Sequence, residues 1–461
     1  MIIRKLKIHA ATGVLLSQAL VFGGAISISA GASAQDFTCT NVQYAESLER
    51  RLRALDQAVA RDLEEPRELL QPTPPEDDPD AVLPEPNPAA AVAEMDDEIR
   101  IDRLASHEAA EVYNLYAYAY YLLEDNGRAI INYERVLEEE GANGSLVVRT
   151  LKTLAQLHMI QEQFPRALDR YVNWACLRQL QGNNIGAEEY AQIATIYYRM
   201  EDRASALDFI NRAITLNEDA GNIGKENWYS MKRSILYLEG DIPGVIDVIR
   251  KLIVYYPNVK YWRELGGMYS EMEDPRRQLA SYHLAYLQNG LETEGQLKGL
   301  GYLYIAAEAP YLGAEIMVEG IENGLIEEDE EIYRAIGSAY YQSREMEKAL
   351  PWMERAAEAS EDGEAYGRLA NIYLSLGRYE DAIRAGGEAV TRGDLNRRDQ
   401  VLMTVGSALH GLREYDRAIA EFRKIRDDRS TNAARQWITF VESEKERDRQ
   451  LRASGIDLDN L

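Results

Sequence analysis

The feature that most constrains this chain is a small side chain that recurs at almost constant spacing. Aligned on it, Ala117, Ala155, Ala194, Arg233, Gly266, Gly301, Gly337, Ala370 and Gly406 fall 33 to 39 residues apart. Twelve residues further on stands a second, usually small, position: Ala129, Ala167, Ala206, Val245, Gln278, Gly313, Ala349, Ala382 and Ala418. Four beyond that comes a mostly bulky one, with Tyr133, Tyr171, Ile210, Ile249, Tyr282, Met317, Met353, Gly386 and Phe422. Two small positions let two helix backbones approach, and the bulky one is expected to fill the angle against the neighbouring repeat. A single helix pair cannot cover its own apolar face, so the pattern demands a stack of pairs with capped ends. The copy around Arg233 is the poorest of the nine.

This spacing resembles the tetratricopeptide repeat, most clearly in "GEAYGRLANIYLSLGRYEDAIRAGGEAV" and "DQVLMTVGSALHGLREYDRAIAEFRKI". The resemblance implies an all-α solenoid, a right-handed superhelix of antiparallel helix pairs, over residues 100–429. Residues 430–461 then supply a capping helix, with Trp437, Ile438 and Val441 on one stripe, and a tail. The Leu265-Gly266-Gly267 glycines are packing spacers, since no strand precedes them and no Gly-rich turn opens a helix.

The N-terminal third reads differently. Arg4, Lys5 and Lys7, an apolar run from about Gly13 to Ala30 and the small-x-small site Ala32-Ser33-Ala34 form a signal peptide over 1–34, cleaved near Ala34. The expected location is the periplasm, with no integral membrane segment after cleavage. Residues 35–63 carry an amphipathic stripe of Val42, Ala45, Leu48, Leu52, Leu55, Val59 and Leu63, read as a tethered helix. Residues 64–99 hold eight of the fourteen prolines among acidic residues, which predicts an extended, mobile linker. That linker is itself a candidate occupant of a groove on the repeats.

The balance of 51 Lys and Arg against 77 Asp and Glu, a formal charge of −26, argues against nucleic acid or anionic membrane as the main partner. Twenty-nine Tyr against 6 Phe suits half-buried helix seams, where the ring packs and the hydroxyl reaches a polar group. Cys39 and Cys176 are read either as two independent thiols or as one bond formed in an oxidising compartment. His107, His158, His283 and His410 lie too far apart for a metal site, His158 reading as a packed ring, and no cofactor is expected. The acidic run Glu327 to Glu331 reads as a solvated turn, and no Ser, His and Asp arrangement has a nucleophile setting, so the chain is read as no enzyme.

In the repeat family the first helix of each pair lines a concave groove. Carrying the register forward from Tyr113 places Arg149, Lys152, Arg199, Lys260, Arg263, Lys298 and Arg334 there, with Tyr118, Tyr121, Tyr198, Tyr237, Tyr302 and Tyr341. Glu111, Glu188, Glu271, Glu331 and Glu364 share that face. Seven bases to five acids inverts the chain's overall balance, which suits capture of a carboxylate-bearing or extended peptide. The same residues also read as a mixed solvated surface.

The phrases "ENWYSMKRSILYLEGDIPGVIDVIRKLIVYYPNVKYWRELGGMYSEMED", "GLIEEDEEIYRAIGSAYYQSREMEKALPWMERAAEASEDGEAYGRLA" and "AARQWITFVESEKER" resemble exported bacterial repeat proteins encoded beside TonB, ExbB and ExbD energy-transducing systems. The similarity spans roughly 105–447 and excludes the Pro-acidic linker. It implies a periplasmic adaptor that binds protein or peptide partners, TonB, ExbB or ExbD components among them. Two other classes compete: a structural scaffold for envelope assembly, and a repeat protein of polysaccharide or peptidoglycan-linked export.

Overall fold

A computed structural model describes residues 39, 42–73, 83–426 and 428–454. The signal expected over 1–34, the acidic run 74–82 and the tail 455–461 lie outside the described residues. The chain divides into two compact units, 1–235 and 236–461. Unit 1 holds α1 (Gln57–Asp62), α2 (Glu64–Leu70), α3 (Pro88–Glu98), α4 (Ser106–Leu122), α5 (Asn126–Glu138), α6 (Gly144–Ile160), α7 (Phe164–Leu180), α8 (Ala187–Arg199) and α9 (Arg203–Asp219). Helix α10 (Glu226–Leu238) crosses the division. Unit 2 continues with α11 (Ile242–Tyr255), α12 (Val259–Glu271), α13 (Pro275–Tyr286), α14 (Glu294–Ala306), α15 (Pro310–Glu322), α16 (Glu330–Gln342), α17 (Met346–Ala359), α18 (Glu364–Ser375), α19 (Tyr379–Arg392), α20 (Arg398–Gly411), α21 (Tyr415–Phe422) and α22 (Asp428–Ala453). From α4 to α21 the helices run as consecutive pairs, and the described residues contain no strand.

Each pair is joined by the same tight turn. The residue seven positions after each aligned small position has positive φ: Glu124, Glu162, Glu201, Gly240, Glu273, Glu308, Arg344, Gly377 and Arg413. The weakest copy, at Arg233, keeps this turn at Gly240. The next residue often starts the second helix, with Asp125, Asp202, Asp241 and Asp274 each accepting from the backbone N–H three residues on. Proline then occupies the first turn of α7, α11, α13 and α15, where its missing N–H costs nothing. Left-handed backbone is unfavourable for a residue with a Cβ. Glu201→Gly, at φ 63°, is therefore expected to stabilise the chain by about 0.5 kcal/mol, and Gly240→Ala, with no atom near its missing Cβ, to cost about 1 kcal/mol, both read from chemical denaturation midpoints.

The small positions meet the bulky ones, but within a pair rather than between pairs as expected. A Cβ on Gly266 would lie 3.0 Å from the Tyr282 ring, one on Gly301 2.6 Å from Met317 Cε, one on Gly337 3.0 Å from Met353 Cε and one on Gly406 2.5 Å from Phe422 Cε1. The second helix lies so close to the first that its bulky side chain, one turn beyond the close approach, drapes over the bare backbone opposite. Unit 2 ends on α22, where Val441 is buried and Trp437 stacks on Phe422 at 5.7 Å.

The N-terminal segment differs from the sequence expectation. In place of one amphipathic helix over 35–63 there is a 3-10 turn, Ala45–Glu49, extended chain, and α1. The mobile linker expected at 64–99 contains α2 and α3, whose Leu70, Ala91 and Met95 bury with Leu63 and Ile99 against Val112, Tyr116 and Ala119 of α4. Averaged composition hid this, because the apolar residues flank the acidic run rather than mix with it, and Pro88 stands at a helix start behind an Asn87 cap. Tyr116 donates to Asp96 Oδ1 at 2.8 Å, fixing α3 to α4.

Upstream of α1 the chain crosses the repeats as a strap. Arg50 donates to the Ala142 carbonyl at 3.1 Å and the Asp56 N–H to Glu108 Oε1 at 2.8 Å. Leu48 sits so close to the start of α6 that a Cβ on Gly144 would be 2.9 Å from its Cα. The strap ends in a disulfide between Cys39 and Cys176 of α7, resolving the two readings of these cysteines in favour of a bond.

Candidate peptide-binding groove

The first helices of successive pairs present Arg149 and Lys152 (α6), Tyr198 and Arg199 (α8), Tyr237 (α10), Lys260 and Arg263 (α12), Lys298 and Tyr302 (α14), and Arg334 and Tyr341 (α16). Most of these side chains are already engaged, some by groups on their own helix and some by an adjoining repeat. Lys152 Nζ pairs with Glu189 of α8 at 2.8 Å. Arg263 donates to the Gly290 carbonyl at 2.8 Å and lies 3.7 Å from Glu292. Lys298 is 2.5 Å from Glu294 and 3.7 Å from Asp329. Arg334 pairs with Glu330 and lies 3.6 Å from Asp362. Arg199 reaches Glu162 at 2.9 Å, while the Tyr237 and Tyr302 hydroxyls donate to Glu271 and Glu331 at 3.3 and 3.4 Å. Lys260 lies over the Tyr261 ring at 4.7 Å. Tyr198 is half-buried and Tyr341 exposed.

The expected surplus of positive charge is thus largely spent within the first helices and between adjoining repeats. Exposed pairs of this kind are each worth less than about 1 kcal/mol. For Lys152 and Glu189, a double-mutant cycle with Lys152→Met and Glu189→Gln is expected to give a coupling near ~0.5 kcal/mol. Burial pushes the Glu189 carboxyl up, but Lys152 outweighs it and holds the group below the usual range. The coupling should therefore be present above the ordinary Glu value near ~4.3 and vanish as pH falls through the lower folded value, which the same cycle repeated down the pH scale checks.

Arg149 is the exception. Among the described residues its guanidinium has no carboxylate partner. It lines a cavity of 660 Å³ with Tyr118 and Tyr121 of α4, Tyr133 of α5, and Arg67 and Leu70 of α2. On α6, Arg149, Thr153, Gln156 and Ile160 share the wall at helical spacing, and on α4 Asn114, Tyr118 and Tyr121 do the same. None of the lining residues is Asp or Glu. The register argument found Arg149, Tyr118 and Tyr121; it missed Arg67, which fell in the supposed linker, and Tyr133, which read as a packing residue. A second cavity of 590 Å³ in unit 2 is lined by Tyr282, Tyr302, Gly295 and Gly299.

His158 is buried on α6, with its ring nitrogens 2.9 Å from Gln163 Oε1 and 3.4 Å from Glu134 Oε1. Arg170 clamps the same Glu134 at 2.8 Å, and Tyr44 of the strap lies beside that pair. The cluster holds the strap against α5 and α7.

A family model described as tetratricopeptide repeat matches residues 110–143, 187–219 and 363–390, which are α4–α5, α8–α9 and α18–α19. Among solved structures, the chain is similar to MamA (19% identity over 38% of this chain and 94% of that one, TM-score 0.31). It is similar to YrrB, described as a TPR protein with an unusual peptide-binding site (17% identity, 38% and 84% covered, TM-score 0.30). It is also similar to PilF of Pseudomonas aeruginosa (14% identity, 51% and 94% covered, TM-score 0.31). No curated protein matches the chain. Consecutive antiparallel helix pairs, joined by one repeated turn and matched in three places by the repeat's own model, make the fold a tetratricopeptide-repeat solenoid.

Proposed function

We propose that this chain is an exported, non-enzymatic adaptor of the bacterial periplasm that holds peptide segments of partner proteins against the first helices of its repeats, in support of a TonB-type energy-transduction or outer-membrane transport system. The observation that carries the reading is the cavity in unit 1, where Arg149 stands without a carboxylate partner among tyrosines while the other groove cations are engaged. Arginine forks and aromatic faces are the side chains that grip extended peptide. Export is supported by the signal-like residues 1–34 and by the Cys39–Cys176 bond, of a kind that persists in oxidising compartments. The TonB assignment rests on the resemblance over 105–447.

The test is in-cell photocrosslinking from Tyr118, Tyr198 and Arg263, with adducts identified by mass spectrometry. Capture of TonB, ExbB, ExbD or an outer-membrane receptor from Tyr118 supports the adaptor. Carbohydrate adducts, or protein adducts from none of the three positions, would remove it.

A further inference from the structure

The cavity in unit 1 differs from the rest of the groove in composition and in construction. One wall is not a repeat at all: Arg67, Leu70 and Gln71 come from α2 and its end, in the capping segment. Two guanidiniums, Arg67 and Arg149, line it, and among the described residues neither has an ion-pair partner. In a chain carrying 77 acidic residues, two unpaired arginines in a cavity without one Asp or Glu form a site of uncompensated positive charge.

Tyr133 gives the independent observation. Its side chain is only 6% exposed, it lines the cavity, and its hydroxyl has no hydrogen-bond partner among the described residues. The ring is buried but the hydroxyl is not sealed from solvent: it opens to the cavity, where it is free to donate to what the cavity receives. Burial, with Tyr118 and Tyr121 nearby, pushes its pKa up to about 12 against the opposing pull of Arg149, so it stays protonated and is a donor. The remaining polar groups, the Asn114, Gln71 and Gln156 amides, add donors around the Tyr118, Leu70, Leu115 and Leu157 surfaces. A volume of 660 Å³ is that of a site for a small ligand or a few residues of chain.

We infer that this cavity is a binding site for a carboxylate on an apolar or aromatic body, with Arg149, Arg67 and the Tyr133 hydroxyl taking the carboxylate and Tyr118, Tyr121 and Leu70 the body. The site deepens the adaptor reading by naming what its first repeats hold, yet it stands on its own contacts. The same chemistry is offered by a free small acid and by the end of a polypeptide.

The test uses the full oxidised chain and four probes: hydrocinnamate, decanoate, and an acetylated hexapeptide ending in Leu-Phe as the free acid and as the amide, all read by isothermal titration. The free acid should bind at least about tenfold more tightly than the amide, because a charge-assisted bond is lost with the charge. Arg149→Gln and Arg67→Gln should each weaken the acid about tenfold and leave the amide unchanged. Tyr133→Phe, which keeps the ring and the packing, should weaken the acid by a few-fold. If the small acids match the peptide acid, the ligand is a free acid; if the peptide acid is tighter, it is a chain end, and both support the site. Equal affinity of acid and amide, or no binding by any probe, would overturn it, as would glutamine variants that bind the acid like the parent chain. Failure of the crosslinking above with acid binding intact removes the adaptor and keeps the site; the converse removes the site alone.

Discussion

Gly313→Ala is expected to destabilise unit 2 by about 3 kcal/mol, although it adds a single methyl group. The added Cβ would stand 2.5 Å from the Gly301 carbonyl oxygen and 2.9 Å from Ile305 Cγ1. A flexible side chain can move away from such a contact, but the backbone oxygen of α14 cannot without separating α14 from α15. The position tests packing rather than helix propensity, because alanine is the better helix former by about 1 kcal/mol and the effect runs the other way. Gly267→Ala on α12 is the control: nothing lies within 4 Å of its missing Cβ, so the same change there should stabilise by up to about 1 kcal/mol. Urea denaturation of the full chain, followed by far-ultraviolet circular dichroism, reads both. A second pair separates backbone from side-chain contact: Met317→Ala should relieve part of the cost of Gly301→Ala, whose nearest neighbour is Met317 Cε at 2.6 Å, and none of the cost of Gly313→Ala. Gly313→Ala at parent stability would mean that the two helices are not in close contact there.

The same residues explain how much was legible beforehand. Close approach of two helices leaves a mark on the sequence, since only small residues fit, and a repeat copies that mark many times; Gly301, Gly337 and Gly406 could be placed without a structure. The bulky partner was placed correctly along the chain and wrongly in space, because spacing fixes which face Met317 occupies but not whether the opposing backbone belongs to its own pair. The groove cations show a related limit. Lys298 and Arg334 sit on the first helices, yet their charge is shared between Glu294 and Glu330 of their own helices and Asp329 and Asp362, which precede the following first helices. An acid at the end of one connection and a base inside the previous first helix is a readable signal, but only once the stacking of repeats is used to pair them. Arg67 was lost for a different reason. A window averaged over 64–99 is proline-rich and acidic, while Leu63, Leu70, Ala91 and Met95 are buried. Composition reports the mean of a segment, and folding depends on where its apolar residues fall.

Reduction of the Cys39–Cys176 bond is expected to lower the stability of unit 1 by up to about 5 kcal/mol, the entropy recovered by an unfolded chain released from a loop of sequence separation 137. The folded state opposes part of that loss, because the strap has contacts of its own. Arg50 still reaches Ala142, the Asp56 N–H still reaches Glu108, and Tyr44 still lies by Arg170 and Glu134. Reduction should therefore leave the strap in place at neutral pH while making it sensitive to acid. Burial pushes the Glu134 carboxyl up, yet His158 and Arg170 together outweigh it and hold the group below the ordinary range. A carboxylate with a depressed folded pKa contributes its stability above the ordinary value near ~4.3, and that contribution is lost as pH falls through the lower folded value. Oxidised chain should keep the strap docked through that window because the covalent tie remains; Cys39→Ser and Cys176→Ser chains should release it. Limited proteolysis between residues 42 and 56, run from pH 7 down to pH 3, distinguishes the two. Faster cleavage of the serine variants appearing only at the acid end is the expected result. Equal cleavage of parent and variants at every pH would show that the strap is held by its non-covalent contacts alone, and a variant already cut rapidly at pH 7 would show that the disulfide, not the Glu134 cluster, is what keeps it down.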